Sequence, residues 1–318
     1  MADIFLADCR VKLKDFDGNS FDSVVTDPPY ELGFQGNRWD STGIANDASF
    51  WKEILRVLKP GGHLLAFSGT RTYHRMACAI EDAGFEIRDE ISWIYAKAMQ
   101  KSQDVSREIE KKYGREKAIP WNGWRPTIKP SHEPILLARK PLSEKNLADN
   151  VLKWGTGCLN IDRCRVISES DPNIKRFPTN TIFDEKAASL LDKQSGFLRS
   201  GKDCVRRKDS NFIKNSFGKS EEIQISYGDS GFASRFFYVA KASKSEKGQN
   251  NDHPTVKPVK LMEYLVALST SQDGVVLDPF MGAGTTGIAC RNLGIQFVGI
   301  EMDKHYFEIA RNRLEGFR

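Results

Sequence analysis

Short apolar, β-branched runs alternate along this chain with stretches whose apolar positions recur every three or four residues. Ile4-Phe5-Leu6-Ala7-Asp8 predicts a strand ending in an acid, and Phe21–Thr26 predicts a second. From Ala48 to Leu58 the positions Phe50, Trp51, Ile54, Leu55 and Leu58 mark one helical face. Lys59-Pro60-Gly61-Gly62 ends that helix, and His63–Phe67 predicts the next strand. A helix over 72–83, stopped by Gly84, and a strand over 86–95 follow. Repeated βαβ units of this kind make an α/β fold with a mainly parallel sheet.

The pattern breaks over residues 97–250, which are polar and irregular, with strands predicted only within 131–139 and 234–240. Regular patterning returns with a helix from Pro258, a strand over 275–278, and a glycine loop, Gly282 to Gly287, opening a helix. A strand over 296–301 and a helix over 303–314 close the chain. Three segments result: 1–96, an insert at 97–250 with a returning sheet strand near 131–139, and 251–318.

Charge sharpens this division. Residues 97–250 hold 30 Lys and Arg against 19 Asp and Glu, a net of +11, and the rest holds 17 against 23, a net of −6, which together give the overall +5. A basic insert in an acidic body points to a polyanionic partner. Arg199–Lys219 carries seven basic and two acidic residues around Phe212 and Phe217. At 318 residues and 40% hydrophobic content the chain has ample material for a core. With mean hydropathy −0.47, it has no apolar run long enough to span a bilayer as a helix. Met1-Ala2-Asp3-Ile4-Phe5 lacks the basic start of a signal peptide. Six scattered cysteines without Cys-x-x-Cys, and five scattered histidines, indicate neither a disulfide framework nor a metal site. A reducing cytoplasm fits.

Two stretches carry chemistry. Val24-Val25-Thr26-Asp27-Pro28-Pro29-Tyr30 is a strand stopped by two prolines, which have no N–H and a fixed φ. The stiff loop presents a carboxylate (Asp27), a carbonyl released from pairing (Pro28) and a π-face (Tyr30), a set suited to a flat, amino-bearing ring. A plain surface turn is the alternative. Gly282-x-Gly284-x-x-Gly287 matches the dinucleotide fingerprint, with Glu301 at the end of the next strand placed to hold a ribose. A nicotinamide-dependent oxidoreductase is therefore a competitor, as is a helix-entry turn with no ligand. Against the dinucleotide stands Asp278, which would repel a pyrophosphate and attract a cation. Only one strand and one helix follow the glycines, so the missing strands must come from the front of the chain, as in a circular permutation.

Val276-Leu277-Asp278-Pro279-Phe280-Met281-Gly282-Ala283-Gly284-Thr285-Thr286 resembles the cofactor motif of DNA amino-methyltransferases. His253-Pro254-Thr255-Val256-Lys257-Pro258 resembles the short motif preceding it, and Asp27-Pro28-Pro29-Tyr30 the catalytic motif. Their order, with the basic insert between, is similar to that of the β-group of these enzymes. Trp154-Gly155-Thr156-Gly157 and Ser234-Arg235-Phe236-Phe237-Tyr238 resemble segments of phage and prophage members.

The resemblance implies a Rossmann-like methyltransferase fold, a target-recognition insert and methyl transfer from S-adenosylmethionine, without a metal, to an exocyclic amine of a flipped base. Asp27 and the Pro28 carbonyl would bond the amine hydrogens and favour its tetrahedral, nucleophilic form. Pro29 would be a rigid spacer, and Tyr30 would stack on the base. For the cofactor it implies Asp278 near the ammonium, Phe280 on the apolar part and Gly282 and Gly284 for close backbone approach. Thr285 and Thr286 would cap the helix or bond the carboxylate, and Glu301 would hold the ribose. Asp8 would face the adenine ring, and Thr255 and Lys257 the carboxylate end. Trp39 and Asp40 would close over the base, and Arg206, Arg207 and Lys208 would contact phosphates. Double-stranded DNA is the implied partner. A homodimer is compatible with the family, and the sequence names no restriction partner and no membrane.

No Pro-Cys occurs, which disfavours cytosine-C5 chemistry. Asp as the first residue of the catalytic motif resembles the adenine-N6 enzymes, where Ser is usual in the cytosine-N4 ones. A DNA-binding protein that keeps the fold without catalysis is the remaining alternative.

Overall fold

The computed structural model describes residues 2–33, 38–96, 102–168, 171–201, 204–205, 223–224, 228–241, 251–253 and 255–316. Among these, nine strands form one sheet: β1 (Ala2–Leu6), β2 (Phe21–Thr26), β3 (Leu58–Phe67), β4 (Glu86–Ile94), β5 (His132–Arg139), β6 (Thr181–Asp184), β7 (Tyr238–Ala240), β8 (Val275–Asp278) and β9 (Gln296–Glu301). Their order across the sheet is β1-β9-β8-β2-β3-β5-β4-β6-β7. All neighbours are parallel except β5, which is antiparallel to both β3 and β4. β4 ends at Ile94 opposite His132, where β5 begins, so the chain returns antiparallel at the same edge of the sheet.

Both faces of the central strands are covered, which explains their unbroken apolar runs. Val25, Leu65 and Leu137 point to one side, against helix Val259–Ser269; Val24, Leu64 and Leu136 point to the other. There, helix Ala48–Val57 contributes Phe50, Trp51 and Ile54, and helix Tyr73–Asp82 contributes Met76 and Ile80. Asp47 starts the first of these helices by accepting from the Ser49 amide at 2.8 Å.

Two strands differ from expectation. β3 begins at Leu58, not His63. Phe21 pairs with Leu58 and Ser23 with His63, so Lys59–Gly62 forms a bulge within the strand. Gly61 sits at φ +83°, and Asn150 and Thr156 donate to the Pro60 carbonyl at 2.9 and 2.6 Å. β6 carries no strong sequence signal because it is only four residues long. It pairs with β4 and β7, so residues 97–250 supply three strands of the sheet.

The central pair decides the function. β8 lies beside β2, with Val276 opposite Ser23 and Leu277 opposite Val24. The chain continues from β8 to β9 on one side and from β2 to β3 on the other. That is a topological switch point, where open α/β sheets form a cleft at their carboxyl edge.

Candidate active site

Asp27 leaves β2 at this edge, with Pro28 buried behind it. Its Oδ2 accepts from the Lys257 ammonium at 2.5 Å, and its Oδ1 is buried with no hydrogen-bond partner. Lys257, only 8% exposed, also reaches the Tyr30 hydroxyl at 3.2 Å and Glu133 Oε2 at 3.3 Å. Tyr30 donates its hydroxyl to Glu133 at 3.0 Å. Two carboxylates therefore share one buried cation. Burial first, and then Glu133, raise the Asp27 carboxyl above its ordinary value, against the pull of Lys257. Burial works to lower the Lys257 ammonium, but Asp27 and Glu133 outweigh it and hold it charged.

The loop after the motif is pinned from inside. Asp40, 2% exposed, accepts from the amides of Tyr30 (2.7 Å), Glu31 (3.1 Å) and Leu32 (3.3 Å). Glu31 takes a left-handed backbone at φ +56°, unusual for a residue with a side chain, and accepts from the Gly43 amide at 2.8 Å. Asp40, expected over the base, thus has its carboxylate turned inward on the catalytic loop, because three backbone donors converge there. Trp39 beside it is half-buried. Arg206, Arg207 and Lys208 lie outside the described residues.

At the end of β8, Asp278 is 2% exposed. Oδ1 accepts from the Thr26 hydroxyl (2.6 Å) and the Phe280 amide (3.1 Å), and Oδ2 from the Thr286 hydroxyl (2.6 Å). One carboxylate thereby ties the catalytic strand to the glycine loop and its helix, Thr285–Leu293. Burial raises its carboxyl to about 6, against these hydrogen bonds. Gly282 and Gly284 have φ of +52° and +77°, and a Cβ on Gly282 would lie 2.9 Å from His253 Nε2. Glu301 accepts from the Gly282 amide and the Asp303 amide, each at 2.8 Å. Thr285 Oγ1 accepts from Arg313, which also bonds the Ala283 carbonyl. Phe280 packs against Phe50, with ring centroids 5.3 Å apart.

These residues fit S-adenosylmethionine. Two carboxylates at adjacent strand ends suit a cation and a ribose, the glycines supply the positive-φ turn that lets His253 and Ala310 pack against the loop, and the Arg313 guanidinium is already bonded to loop oxygens. Four residues expected beside the cofactor are engaged elsewhere. Neither Thr285 nor Thr286 caps the helix, whose N-cap is Gly284, because their hydroxyls bond Arg313 and Asp278. Asp8 caps the short helix Cys9–Lys12 and pairs with Arg10 at 2.6 Å. Lys257 joins the catalytic carboxylate. Thr255 is exposed, its amide 3.3 Å from His253 Nδ1. Glu133 was not among the expected residues. Its signal is an acid and a proline opening an apolar strand, and it gains meaning only if that strand is antiparallel, which puts its first residues at the carboxyl edge of its neighbours.

Residues 21–312 match the N6/N4 DNA methylase family. The chain is 26% identical to the Type II methyltransferase M.HindIII of Haemophilus influenzae, over 98% of this chain and 94% of that protein. It is 25% identical to M.HpaI of Haemophilus parainfluenzae, over 95% and 71%. Among solved structures, the M1.HpyAVI complex with S-adenosylmethionine aligns over 99% of this chain and 100% of that one, at TM-score 0.51 and 21% identity. PvuII DNA methyltransferase, described as cytosine-N4-specific, aligns over 98% and 86% at TM-score 0.56 and 16% identity. At these identities the structural likeness speaks for the fold, whereas the family match takes in both motif-bearing strands and everything between them. The chain belongs to the N6/N4 family of DNA methylases.

Proposed function

We propose that this methylase transfers a methyl group from S-adenosylmethionine to the N6 amine of an adenine flipped out of double-stranded DNA. The observation that carries the reading is the Asp27 carboxylate just past the carboxyl end of β2, with one oxygen held by Lys257 and the other buried without a partner. An aryl amine is a poor nucleophile because its lone pair is delocalised into the ring. An acceptor on one N–H favours the tetrahedral form, and a carboxylate meets the positive charge that grows on nitrogen. Bound S-adenosylmethionine supplies a methyl carbon on a sulfonium, which departs as a neutral thioether. Asp27 then takes the proton that the amine sheds once its N–C bond has formed, and passes it to water. Tyr30 provides the stacking face, and Asp278 and Glu301 frame the cofactor. The acceptor being Asp rather than Ser favours adenine. The cytosine-N4 reading keeps support from the fold shared with the PvuII enzyme. The Type II relatives suggest that methylation here serves a restriction-modification system in a bacterial or phage-infected cytoplasm.

Tritiated S-adenosylmethionine and DNA of mixed sequence, followed by nucleoside analysis, test this. Label in N6-methyladenine is expected, and Asp27→Ala should abolish it with cofactor binding retained. Label in N4-methylcytosine would overturn the choice of base. No label would leave a silent DNA-binding protein.

A further inference from the structure

Four side chains from three distant parts of the chain meet at Asp27. Asp27 and Tyr30 come from the catalytic loop, Glu133 from the start of the antiparallel strand, and Lys257 from the segment before helix Val259–Ser269. The Lys257 ammonium also lies 5.4 Å from the centre of the Tyr30 ring and 4.8 Å from that of Phe67, so it braces the stacking face as well as the carboxylate. We propose that Glu133 is a positioning residue for methyl transfer, acting through Lys257 and Tyr30 to hold Asp27 with Oδ2 occupied and Oδ1 directed to the acceptor amine. This rests on the amine-methylation reading above.

The physical case is one of shared charge. With Glu133 present, Lys257 is divided between two carboxylates, so neither is fully neutralised and Asp27 keeps charge to offer the amine. Without that charge Lys257 would serve Asp27 alone, and the Tyr30 hydroxyl would lose a charged acceptor. Asp27 would then be a weaker acceptor for the proton released at nitrogen. The charged or titratable groups facing Asp27 are Lys257, Glu133, Tyr30 and Asp278, and His253 acts on Lys257. Glu133 pushes the Asp27 carboxyl upward, so its removal lets that carboxyl fall.

The test is Glu133→Gln, which keeps shape and removes charge, with Tyr30→Phe as a second variant that removes only the hydroxyl link. Single-turnover methylation of DNA is followed from pH 5 to 9, with titration of S-adenosylmethionine and fluorescence anisotropy on duplex DNA. Glu133→Gln should lower the rate by about 10–100-fold, with cofactor and duplex affinities within about twofold of wild type. Protonation of Asp27 sets the acid limb of the rate profile, so that limb should move to lower pH. Tyr30→Phe should move it the other way, to higher pH, because the Tyr30 hydroxyl holds the Asp27 carboxyl down where Glu133 pushes it up. A residue with a merely structural role would lower activity without moving the limb. An unmoved limb with an unchanged rate in Glu133→Gln overturns the inference while leaving the enzymatic reading intact. So does a loss of rate matched by a loss of cofactor affinity. A wild-type chain that labels no DNA overturns both.

Discussion

Replacing Asp278 by Asn isolates the cost of the buried charge at the centre of the fold. The shape is kept: the amide oxygen can accept from Thr26 and the Phe280 amide, and the amide nitrogen can donate to Thr286, whose hydroxyl rotates to receive it. A carboxyl held at about 6, where 3.8 is ordinary, binds its charge less well than in water by about 3 kcal/mol. The sign follows from proton counting. Between pH 3.8 and 6 the folded protein holds the proton that the unfolded chain releases, so wild-type stability falls as pH rises through that window. The Asn variant lacks this penalty. Relative to wild type it should gain about 3 kcal/mol between pH 4 and pH 8, read from urea unfolding of both proteins at each pH. Taking the difference cancels every other titrating group except those coupled to Asp278, chiefly Asp27. A difference that stays constant over this range would refute the reasoning. Such a charge is retained only if it does something in return, so the stabilised variant should bind S-adenosylmethionine about tenfold more weakly in calorimetric titration.

Asp40→Ala removes the acceptor shared by three amides of the catalytic loop and should cost about 2–3 kcal/mol in thermal or urea unfolding. Its turnover number should fall more than its affinity for DNA, since the loop is disordered locally while the DNA surface stands. For the basic insert, duplex binding should weaken steeply with salt. Replacing Arg206, Arg207 and Lys208 together by Ala should flatten the slope of log K against log salt by about 2–3. An unchanged slope in filter-binding or anisotropy titrations would remove these residues from the DNA interface.

Most strands and helices of the two ends, and both glycine- and proline-bearing loops, were legible from pattern, because the central strands are buried on both faces and helices such as Ala48–Val57 on one. Helix Ala48–Val57 and strand Phe21–Thr26 lie where the pattern puts them. The middle was harder to read. Strand Thr181–Asp184 is too short to show a period. In the first segment the start of β3 was misplaced as well, because its proline and two glycines lie inside the strand, where they ordinarily mark an end.

By itself the sequence determined that a carboxylate leaves a strand into a rigid loop, that a second follows another strand into a glycine turn, and that a basic stretch separates them. Only the tertiary structure decided what each carboxylate does. Asp278 is bound on both oxygens by Thr26 and Thr286, Asp40 faces inward, and Lys257 pairs with Asp27 across 230 positions of sequence. The reason is geometric. Local pattern fixes which residues end a strand, because side-chain periodicity is a short-range property. Which strand ends are neighbours depends on the order of strands in the sheet, and hydrogen bonds of 3 Å are made or missed according to that order alone.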